Sequence, residues 1–410
     1  MTLNRAVYLA PERLDPPTSG GRRRGAALLA ALKEHMDVVL LTPAETDSAF
    51  SSWSAGVERM RARRSSQVLR AVDATRGLAT GRQIVLERSV RAGLPEALAD
   101  VLRATNPSLV VLSKPFFGPF IDVARAEGAF VVVDADETLT RVARSIAGSS
   151  APWPKRLRAM FDLASVGRQE RRDYPRVDQV WAGSDIERQH FVHYLTPERV
   201  IEVPNVVPFG QSTEADASAP PMKPITEVSA VAYVGWYGYA PNEAAALDLA
   251  REIMPRVRAL GGPRKLVLIG RDPTPRMWRL TRDSDVVVTG EVADVVPLLR
   301  DAGLLAVPVR SGGGTRVKIL EAAAAGVPVV STRFGIEGLG LDSGEGVLIA
   351  DQPDDFARAI VRLATDAQLR SEITTHARDL LIQTHSPASL ADAIGRALAS
   401  LGLRQPILRP

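Results

Sequence analysis

The sequence contains no cysteine among its 410 residues. Disulfide bonds and thiolate metal sites are therefore excluded in this chain, which fits a reducing compartment. It also lacks any uninterrupted run of about 18 apolar residues, the length that a membrane-spanning helix requires. The first residues, through Leu14, lack the long apolar segment of a secretory signal peptide. We therefore expect a cytoplasmic protein without membrane spans.

The chain has no large excess of charge of one sign, since 51 basic residues face 47 acidic ones for a net charge of +4. This balance argues against a nucleic acid partner. Arginine is nevertheless concentrated between Trp53 and Arg91, with a second cluster at Arg22-Arg23-Arg24. These segments are either solvated helix faces or, for residues 53–91, a peripheral contact with anionic lipid headgroups or a phosphorylated acceptor.

Short β-branched runs alternate with helical patterns along the whole chain, which indicates parallel sheets wrapped by helices. Near-continuous apolar runs such as VVL suit strands that are buried on both faces. In the first half the pattern predicts strands at Ala6–Ala10, Val38–Thr42, Leu109–Ser113, Ala129–Asp134, Gln179–Ala182 and Val200–Val203. In the second half it predicts strands at Ala230–Gly235, Lys265–Gly270, Val286–Thr289, Leu304–Val307, Val327–Ser331 and Val347–Ala350.

A segment rich in Pro, Ser, Thr and Glu separates the two halves at residues 208–227. It has no apolar periodicity, so we interpret it as a linker. It divides the chain into an N-terminal domain at 1–207 and a C-terminal domain at 228–385. The fold class that follows is α/β, with two doubly wound, Rossmann-like domains facing a central cleft. Open sheets of this kind bind ligands outside the carboxyl ends of their strands.

Three consecutive glycines, Gly312 to Gly314, follow one of the predicted strands and precede a helix that should begin near Thr315. Glycines in such a turn let backbone amides approach a phosphate, and the helix N-terminus adds the positive end of its dipole. Arg316 and Lys318 bring formal positive charge to the same anion. The alternative is a glycine-rich turn that merely joins a strand to a helix.

Glu321 is the only charged residue between Ile319 and Thr332, in a helix that is otherwise apolar. A buried carboxylate needs partners because an unpaired buried charge is costly. The two hydroxyls of a ribose would satisfy it. The alternative is an ion pair between Glu321 and Lys318, although lysine preceding glutamate on a helix is the weaker orientation.

The segment GGGTRVKILEAAAAGVPVV resembles the donor-binding signature of glycosyltransferase family 4, of the glycosyl transferases group 1 type, whose members have the GT-B fold. Four other blocks are similar to parts of that family, and together the resemblance covers roughly residues 180–385. These blocks are Tyr233–Gly235 with Ala240–Asn242, Thr289–Asp294, Val180–Ser184 and Val203–Asn205.

The resemblance implies a retaining transfer of a sugar from a nucleotide-diphosphate sugar to an acceptor hydroxyl of a polysaccharide, a glycolipid or a small molecule. It implies no cofactor besides this co-substrate and no catalytic metal. A final helix at 386–401 would pack back onto the N-terminal domain. The implied site residues are Gly21, Gly313, Gly314 and Thr315 around the diphosphate, Glu321, Val292 and Gly270 on the nucleotide, and Arg316 and Lys318 on the leaving phosphate.

The sequence departs from the family pattern at three places. Gly313 stands where many members have a glutamate that contacts the transferred sugar. The basic pair expected after the first strand of the C-terminal domain is absent, so we expect Arg316, Lys318 and Arg271 to compensate. In place of a histidine after the fourth N-terminal strand stands Asp134-Ala135-Asp136-Glu137. Asp136 either positions the acceptor hydroxyl, or acts as its base, or caps a helix that starts near Glu137.

Two alternative functions stay open from the sequence: a nucleotide-sugar epimerase of similar architecture, and a degenerate nucleotide-sugar binder without activity. We assign no sugar-stacking role to Trp53, Trp153 or Trp236, because large aromatic side chains more often belong to a core.

Overall fold

A computed structural model describes residues 4–10, 14, 20–44, 57–61, 86, 90, 93–113, 118–148, 153–207 and 225–403. The chain folds into two compact units. The first unit comprises Met1–Arg144, Leu157–Asn205 and Pro387–Pro410. The second unit comprises Ser145–Arg156 and Val206–Ser386.

The first unit is built on a seven-stranded parallel sheet with the order β3-β2-β1-β4-β5-β6-β7. All six strands predicted for this half are present, two of them with the predicted bounds and the others with ends shifted by at most two residues. The strands are β1 Arg5–Leu9, β2 Asp37–Ala44, β3 Val57–Arg61, β4 Leu109–Ser113, β5 Phe130–Ala135, β6 Gln179–Ala182 and β7 Val200–Glu202. The helices described with them are α1 Gly20–Lys33, α2 Leu94–Thr105, α3 Pro119–Ala126, α4 Leu139–Ala147, α5 Trp153–Asp173 and α6 Asp185–Phe191. The end of α4, from Ser145, and the start of α5, through Arg156, belong to the second unit.

The second unit is built on a six-stranded parallel sheet with the order β10-β9-β8-β11-β12-β13. The strands are β8 Ala230–Val234, β9 Lys265–Ile269, β10 Val286–Gly290, β11 Leu305–Val307, β12 Val329–Ser331 and β13 Leu348–Ile349. Its helices are α7 Ala240–Asp248, α8 Met254–Ala259, α9 Pro275–Trp278, α10 Val296–Ala302, α11 Val317–Ala324, α12 Pro353–Thr365 and α13 Ala367–His385. A π-helical segment, Leu249–Ile253, connects α7 to α8.

Both sheets reverse their strand order at one point. In the first sheet β1 lies between β2 and β4, and in the second sheet β8 lies between β9 and β11. Consecutive crossovers leave in opposite directions from such a point, so a crevice opens at the carboxyl ends of the two central strands. The second sheet therefore has its natural ligand site at the ends of β8 and β11.

Apolar strands and the inner faces of the helices form a separate core in each unit. Val7 and Val110 belong to the first core, and Val231, Leu268 and Ile319 belong to the second. All five side chains are at most 1% exposed. Strands covered on both faces need apolar residues at successive positions, which explains why their runs stand out in the sequence.

The C-terminal helix α14, Pro387–Ser400, belongs to the first unit although it follows the second in sequence. The Gln179 amide donates to the carbonyl of Ala397 at 3.0 Å and to the Ser400 hydroxyl at 2.6 Å. Asn4 donates to the carbonyl of Leu403 at 3.2 Å. Hydrogen bonds therefore connect the last helix to β6, and the segment after this helix to Asn4, which precedes β1.

Several expectations from the sequence need correction. Strand β3 was not predicted, because its sequence VERMR has charged residues at three of five positions. The helix after the glycine turn begins at Val317 rather than near Thr315, and the helix after β5 begins at Leu139 rather than near Glu137. Of the tryptophans expected in a core, Trp153 is 74% exposed and Trp236 is 46% exposed.

Two expectations concern segments that lie largely outside the described residues. The linker at 208–227 is described only from residue 225 onwards. Within the arginine-rich segment 53–91, the structure describes only residues 57–61, 86 and 90. The contact with lipid headgroups or a phosphorylated acceptor that was predicted for this segment therefore falls largely outside the described residues. Trp53 also lies outside the described residues. No helix in the described part of the chain combines the length and the apolar character that crossing a membrane requires.

The cluster Arg22-Arg23-Arg24 is not exposed to solvent at all three positions, because Arg24 is only 4% exposed. Its Nε donates to Oδ1 of Asp134 at 2.8 Å, and its Nη1 donates to the carbonyl of Val203 at 2.9 Å. The carboxyl groups of Asp134 and Asp136 raise the pKa of the Arg24 guanidinium although burial alone would lower it. Arg24 is therefore an internal cation that joins α1 to the ends of β5 and β7.

Candidate functional site

The glycine turn Gly312–Gly314 follows β11 and precedes α11, at the reversal point of the second sheet. Gly312 has φ of +115° and Gly314 has φ of +72°, which side-chain-bearing residues rarely adopt. A Cβ atom on Gly312 would also lie 2.8 Å from the Tyr239 hydroxyl oxygen. Glycine is therefore required at both positions.

The turn presents backbone amides in a form that suits an anion. Within the described residues, neither the N–H of Gly313 nor that of Gly314 donates to an acceptor. The eight-residue helix α11 starts two residues after Thr315, so the positive end of its dipole lies beside these amides. Successive amides in such a concave turn, next to a helix N-terminus, form a binding site for phosphate.

Arg316 braces this turn from within. Its Nη1 donates to the carbonyl oxygens of both Gly313 and Gly314, and its guanidinium carbon lies 5.1 Å from the ring centroid of Phe334. Because these carbonyls point to the guanidinium, the turn is held in one conformation. The structure thus gives Arg316 a bracing role, while the direct contact with a leaving phosphate that the resemblance implied stays a prediction.

Lys318 is a partly buried cation whose hydrogen-bond partners among the described residues are uncharged. Its Nζ donates to the Tyr233 hydroxyl at 3.1 Å and to Oδ1 of Asn242 at 3.0 Å. The ammonium nitrogen also lies 4.3 Å from the centroid of the Tyr233 ring. Tyr233 in turn donates to Oδ1 of Asn242 at 2.9 Å. The three side chains form one connected group, in which no carboxylate of the described residues balances the lysine charge.

Burial, and next the positive charge of Arg316, lower the pKa of the Lys318 ammonium well below its usual range. An ammonium in this setting gains from an anion that restores its charge balance. A bound phosphate would raise the pKa of Lys318 again, so anion binding and protonation of this lysine are coupled. The alternative in which Lys318 pairs with Glu321 is not realised, since Lys318 forms hydrogen bonds to Tyr233 and Asn242 instead.

Glu321 lies one turn beyond Lys318 on α11 and is 9% exposed. Its neighbours Leu320 and Ala322 are fully buried. Glu321 is therefore a nearly buried residue in an otherwise apolar helix, as the sequence indicated. Its position on the same helix as Lys318 fits a ligand that passes from phosphate to ribose, and its contact with a ribose stays a prediction.

Gly270 and Val292, predicted to contact the nucleotide, lie at the ends of β9 and β10. Gly270 has φ of +145°, and a Cβ atom there would lie 1.8 Å from the carbonyl oxygen of Gly235. Gly270 is thus required for the close approach of two backbone segments. The partly buried Val292 packs against the second core, so the contact predicted for it would come from its backbone.

The two remaining predicted residues, Gly21 and Asp136, belong to the first unit. Gly21 is exposed in the first turn of α1, and its place around the diphosphate stays a prediction. Asp136 directly follows β5, and its carbonyl oxygen would lie 2.7 Å from a Cβ atom on Gly183. Thr138, not Asp136, directly precedes helix α4, so Asp136 does not occupy the cap position.

Sequence reasoning missed Tyr233 and Asn242 as site residues, although both lie in blocks that resemble the family. Asn242 occupies the first turn of α7, and Tyr233 is the fourth residue of β8. A tyrosine at the carboxyl end of a buried strand and an asparagine after a helix-starting proline are the signals that could have found them. In the described segments, no cluster of three or more His, Asp or Glu residues could hold a metal ion.

Residues 229–366 match the model of the family described as Glycosyl transferases group 1. The resemblance seen in the sequence is thus confirmed at this level for the C-terminal half. No curated protein sequence matches the chain.

Solved structures match nearly the whole chain. The sucrose-phosphate synthase of Thermosynechococcus elongatus is 16% identical, with a TM-score of 0.64 over 97% of this chain and 99% of that one. HepE of Anabaena, solved in complex with UDP and glucose, is 15% identical, with a TM-score of 0.61 over 97% and 100%. A glycosyltransferase of Rickettsia africae is 11% identical, with a TM-score of 0.61 over 98% and 99%. The GT-B fold expected from the sequence is thereby confirmed.

Proposed function

We propose that this chain is a retaining glycosyltransferase that moves a sugar from a nucleoside-diphosphate sugar to an acceptor hydroxyl, without a catalytic metal. The observation that carries the proposal is the position of Lys318. Lys318 lies in the first turn of the helix that follows the glycine turn, at the reversal point of the second sheet, and its ammonium donates to the uncharged Tyr233 and Asn242. A cation and unpaired amides at such a point are the elements of a diphosphate site.

In the proposed reaction the bond between the anomeric carbon and the diphosphate oxygen breaks. Negative charge then develops on the departing oxygen. Lys318 and the amides of Gly313 and Gly314 would stabilise this charge more in the transition state than in the bound donor. Because Arg316 holds the turn in one conformation, these amides are already oriented before negative charge develops on the leaving oxygen.

The nucleoside would bind next to this point, with Glu321 on the ribose hydroxyls and the ends of β9 and β10 along the base. Uridine compounds are the first candidates, because HepE, of similar fold, was solved with UDP and glucose. Asp136 stays our candidate for orienting the acceptor hydroxyl or accepting its proton. The acceptor is a sugar, a lipid-linked sugar or a small molecule.

A thermal-shift panel of UDP, GDP, ADP and their common sugar conjugates tests the donor class first. A ligand at a hundred times its dissociation constant adds about 2.7 kcal/mol of stability, which shifts the melting temperature measurably. The best donor is then incubated with and without a panel of acceptors, and released nucleoside diphosphate and the anomeric configuration of the product are measured by NMR.

Acceptor-dependent release with retained configuration supports the proposal. A new nucleotide sugar formed from the donor alone would identify an epimerase instead. Stabilisation by a nucleotide sugar without turnover on any acceptor would identify a binding protein. If no nucleotide in the panel shifts the melting temperature, the proposal is wrong.

A further inference from the structure

Trp236 is an exposed tryptophan whose ring is nevertheless held in one orientation. It follows β8 by two residues and is 46% exposed. Its Nε1 donates to Oδ2 of Asp272 at 2.7 Å, and the guanidinium carbon of Arg271 lies 5.0 Å from the ring centroid. Isolated exposed apolar residues are common on protein surfaces, but their side chains are not usually fixed from two sides.

Two loops cooperate to fix this ring. Tyr237 N–H donates to the carbonyl of Arg271 at 3.0 Å, which joins the loop after β8 to the loop after β9. Asp272 has φ of +54°, an uncommon conformation for a residue with a side chain. At Gly238 a Cβ atom would lie 2.5 Å from Nε1 of Trp236, so a side chain at this position would displace the indole. Contacts with residues of both loops thus fix the exposed indole.

The backbone carbonyl of Trp236 belongs to the same hydrogen-bonded group as Lys318. Asn242 Nδ2 donates to the carbonyl of Trp236 at 3.0 Å, while Oδ1 of the same side chain accepts from Lys318. One amide therefore joins the backbone beneath the exposed ring to the ammonium that would hold a phosphate.

The groups around the ring have unused hydrogen-bonding capacity. Within the described residues, the only polar partner of the Asp272 side chain is the Trp236 N–H, and the Arg271 side chain forms no hydrogen bond or ion pair. The glycine turn offers no side chain to a ligand at Gly312 to Gly314. The guanidinium of Arg271 lies over one face of the indole, and the Asp272 carboxylate lies at its Nε1 edge, so the other face offers an apolar surface beside a hydroxyl-binding carboxylate.

We propose that Trp236, with Asp272, binds the sugar ring of the donor: the face of the indole opposite the Arg271 guanidinium stacks on the apolar face of the sugar, and the Asp272 carboxylate accepts hydrogen bonds from its hydroxyls. This inference rests on the proposed function. It assigns the recognition of the sugar, rather than of the nucleoside, to the loops after β8 and β9.

The test compares a nucleoside diphosphate with its sugar conjugate in three variants. Dissociation constants for UDP and UDP-glucose, or for GDP and GDP-mannose if only guanosine compounds bind, are measured by calorimetry. The variants are Trp236→Ala, Trp236→Phe and the matched control Trp278→Phe, whose side chain is 48% exposed in the same unit. Intrinsic tryptophan fluorescence during the titration reports whether the sugar conjugate changes the environment of residue 236.

We expect Trp236→Ala to weaken the sugar conjugate about tenfold and the nucleoside diphosphate less than about twofold. Trp236→Phe retains a stacking face and should lose about threefold or less. Trp278→Phe should bind both ligands as the unchanged protein does. Equal weakening of both ligands would mean that the indole contacts the nucleoside, and unchanged binding would mean that it contacts neither. Both results overturn the inference while leaving the donor class intact. If the unchanged protein binds neither ligand, the proposed function itself fails.

Discussion

The ammonium of Lys318 lies 3.0 Å from Oδ1 of Asn242, an uncharged acceptor that holds the lysine in place without neutralising it. A carboxylate at position 242 would have nearly the same shape and would form an ion pair with the lysine. A carboxylate at position 242 would neutralise the charge of Lys318, whereas Asn242 leaves this charge available to a phosphate.

Asn242→Asp should therefore weaken binding of a nucleoside diphosphate about 10- to 100-fold. The new carboxylate raises the pKa of Lys318, whereas in the unchanged protein burial keeps this pKa low and phosphate binding raises it. Calorimetry at mildly alkaline pH, in buffers of different ionisation enthalpy, should show proton uptake on binding in the unchanged protein. The variant should show much less. Equal proton uptake in both would contradict the coupling of Lys318 to the anion.

The glycines at the ends of β9 and β10 should differ in their tolerance of alanine. Gly270→Ala places a Cβ atom 1.8 Å from the carbonyl oxygen of Gly235 and should destabilise the fold by about 3 kcal/mol or more. Gly290 has φ of +73° with open space around it, so Gly290→Ala should cost only about 1 kcal/mol. Urea denaturation measures both. Similar losses in the two variants would refute the steric explanation.

Features that depend on residues close together in the sequence were predicted, whereas contacts between residues far apart in the sequence were not. The strands at Val7 and Val231 were predictable because burial on both faces requires consecutive apolar residues. Strand β3 was not, since an edge strand such as VERMR can carry charges. Lys318 was found because it closely follows the glycine turn, and the resemblance to a family implied the same role for it. Its partners Tyr233 and Asn242 lie 85 and 76 positions away along the chain, and no local pattern connects them.

The buried position of Arg24 was likewise not predictable from the sequence, because its partner Asp134 is 110 positions away.

Arg24→Met should destabilise the protein by about 3–5 kcal/mol, because it leaves the Asp134 carboxylate buried without its cation. The double variant Arg24→Met with Asp134→Leu should recover part of this loss. Arg256→Met is the control, since the exposed Arg256–Asp354 pair should contribute less than about 1 kcal/mol. Guanidinium unfolding curves should separate the buried pair from the exposed one; equal losses would contradict this account.

His385 should make the protein sensitive to acid. Burial lowers the pKa of this histidine from 6.5 to about 4. Between these two pH values the unfolded chain binds the proton and the folded chain does not, so stability falls as the pH falls from 6.5 to 4. The loss should reach at most about 3 kcal/mol.

His385→Gln should flatten this part of the dependence of stability on pH, measured by urea denaturation at a series of pH values. His376→Gln is the matched control, because His376 lies on the same helix and is exposed. A profile for His385→Gln that still falls between pH 6.5 and 4 as steeply as that of the control would contradict the assignment to His385.

The most direct test of the account is the affinity of Lys318→Ala for the nucleoside diphosphate that stabilises the unchanged protein best. Calorimetry should show a dissociation constant about 10- to 100-fold higher than that of the unchanged protein, since a charge-assisted hydrogen bond to phosphate is lost. Lys265→Ala removes an exposed lysine of the same unit and should bind normally. If Lys318→Ala, with an unchanged melting temperature, binds the nucleotide as tightly as Lys265→Ala does, the diphosphate does not bind at this lysine and the account is wrong.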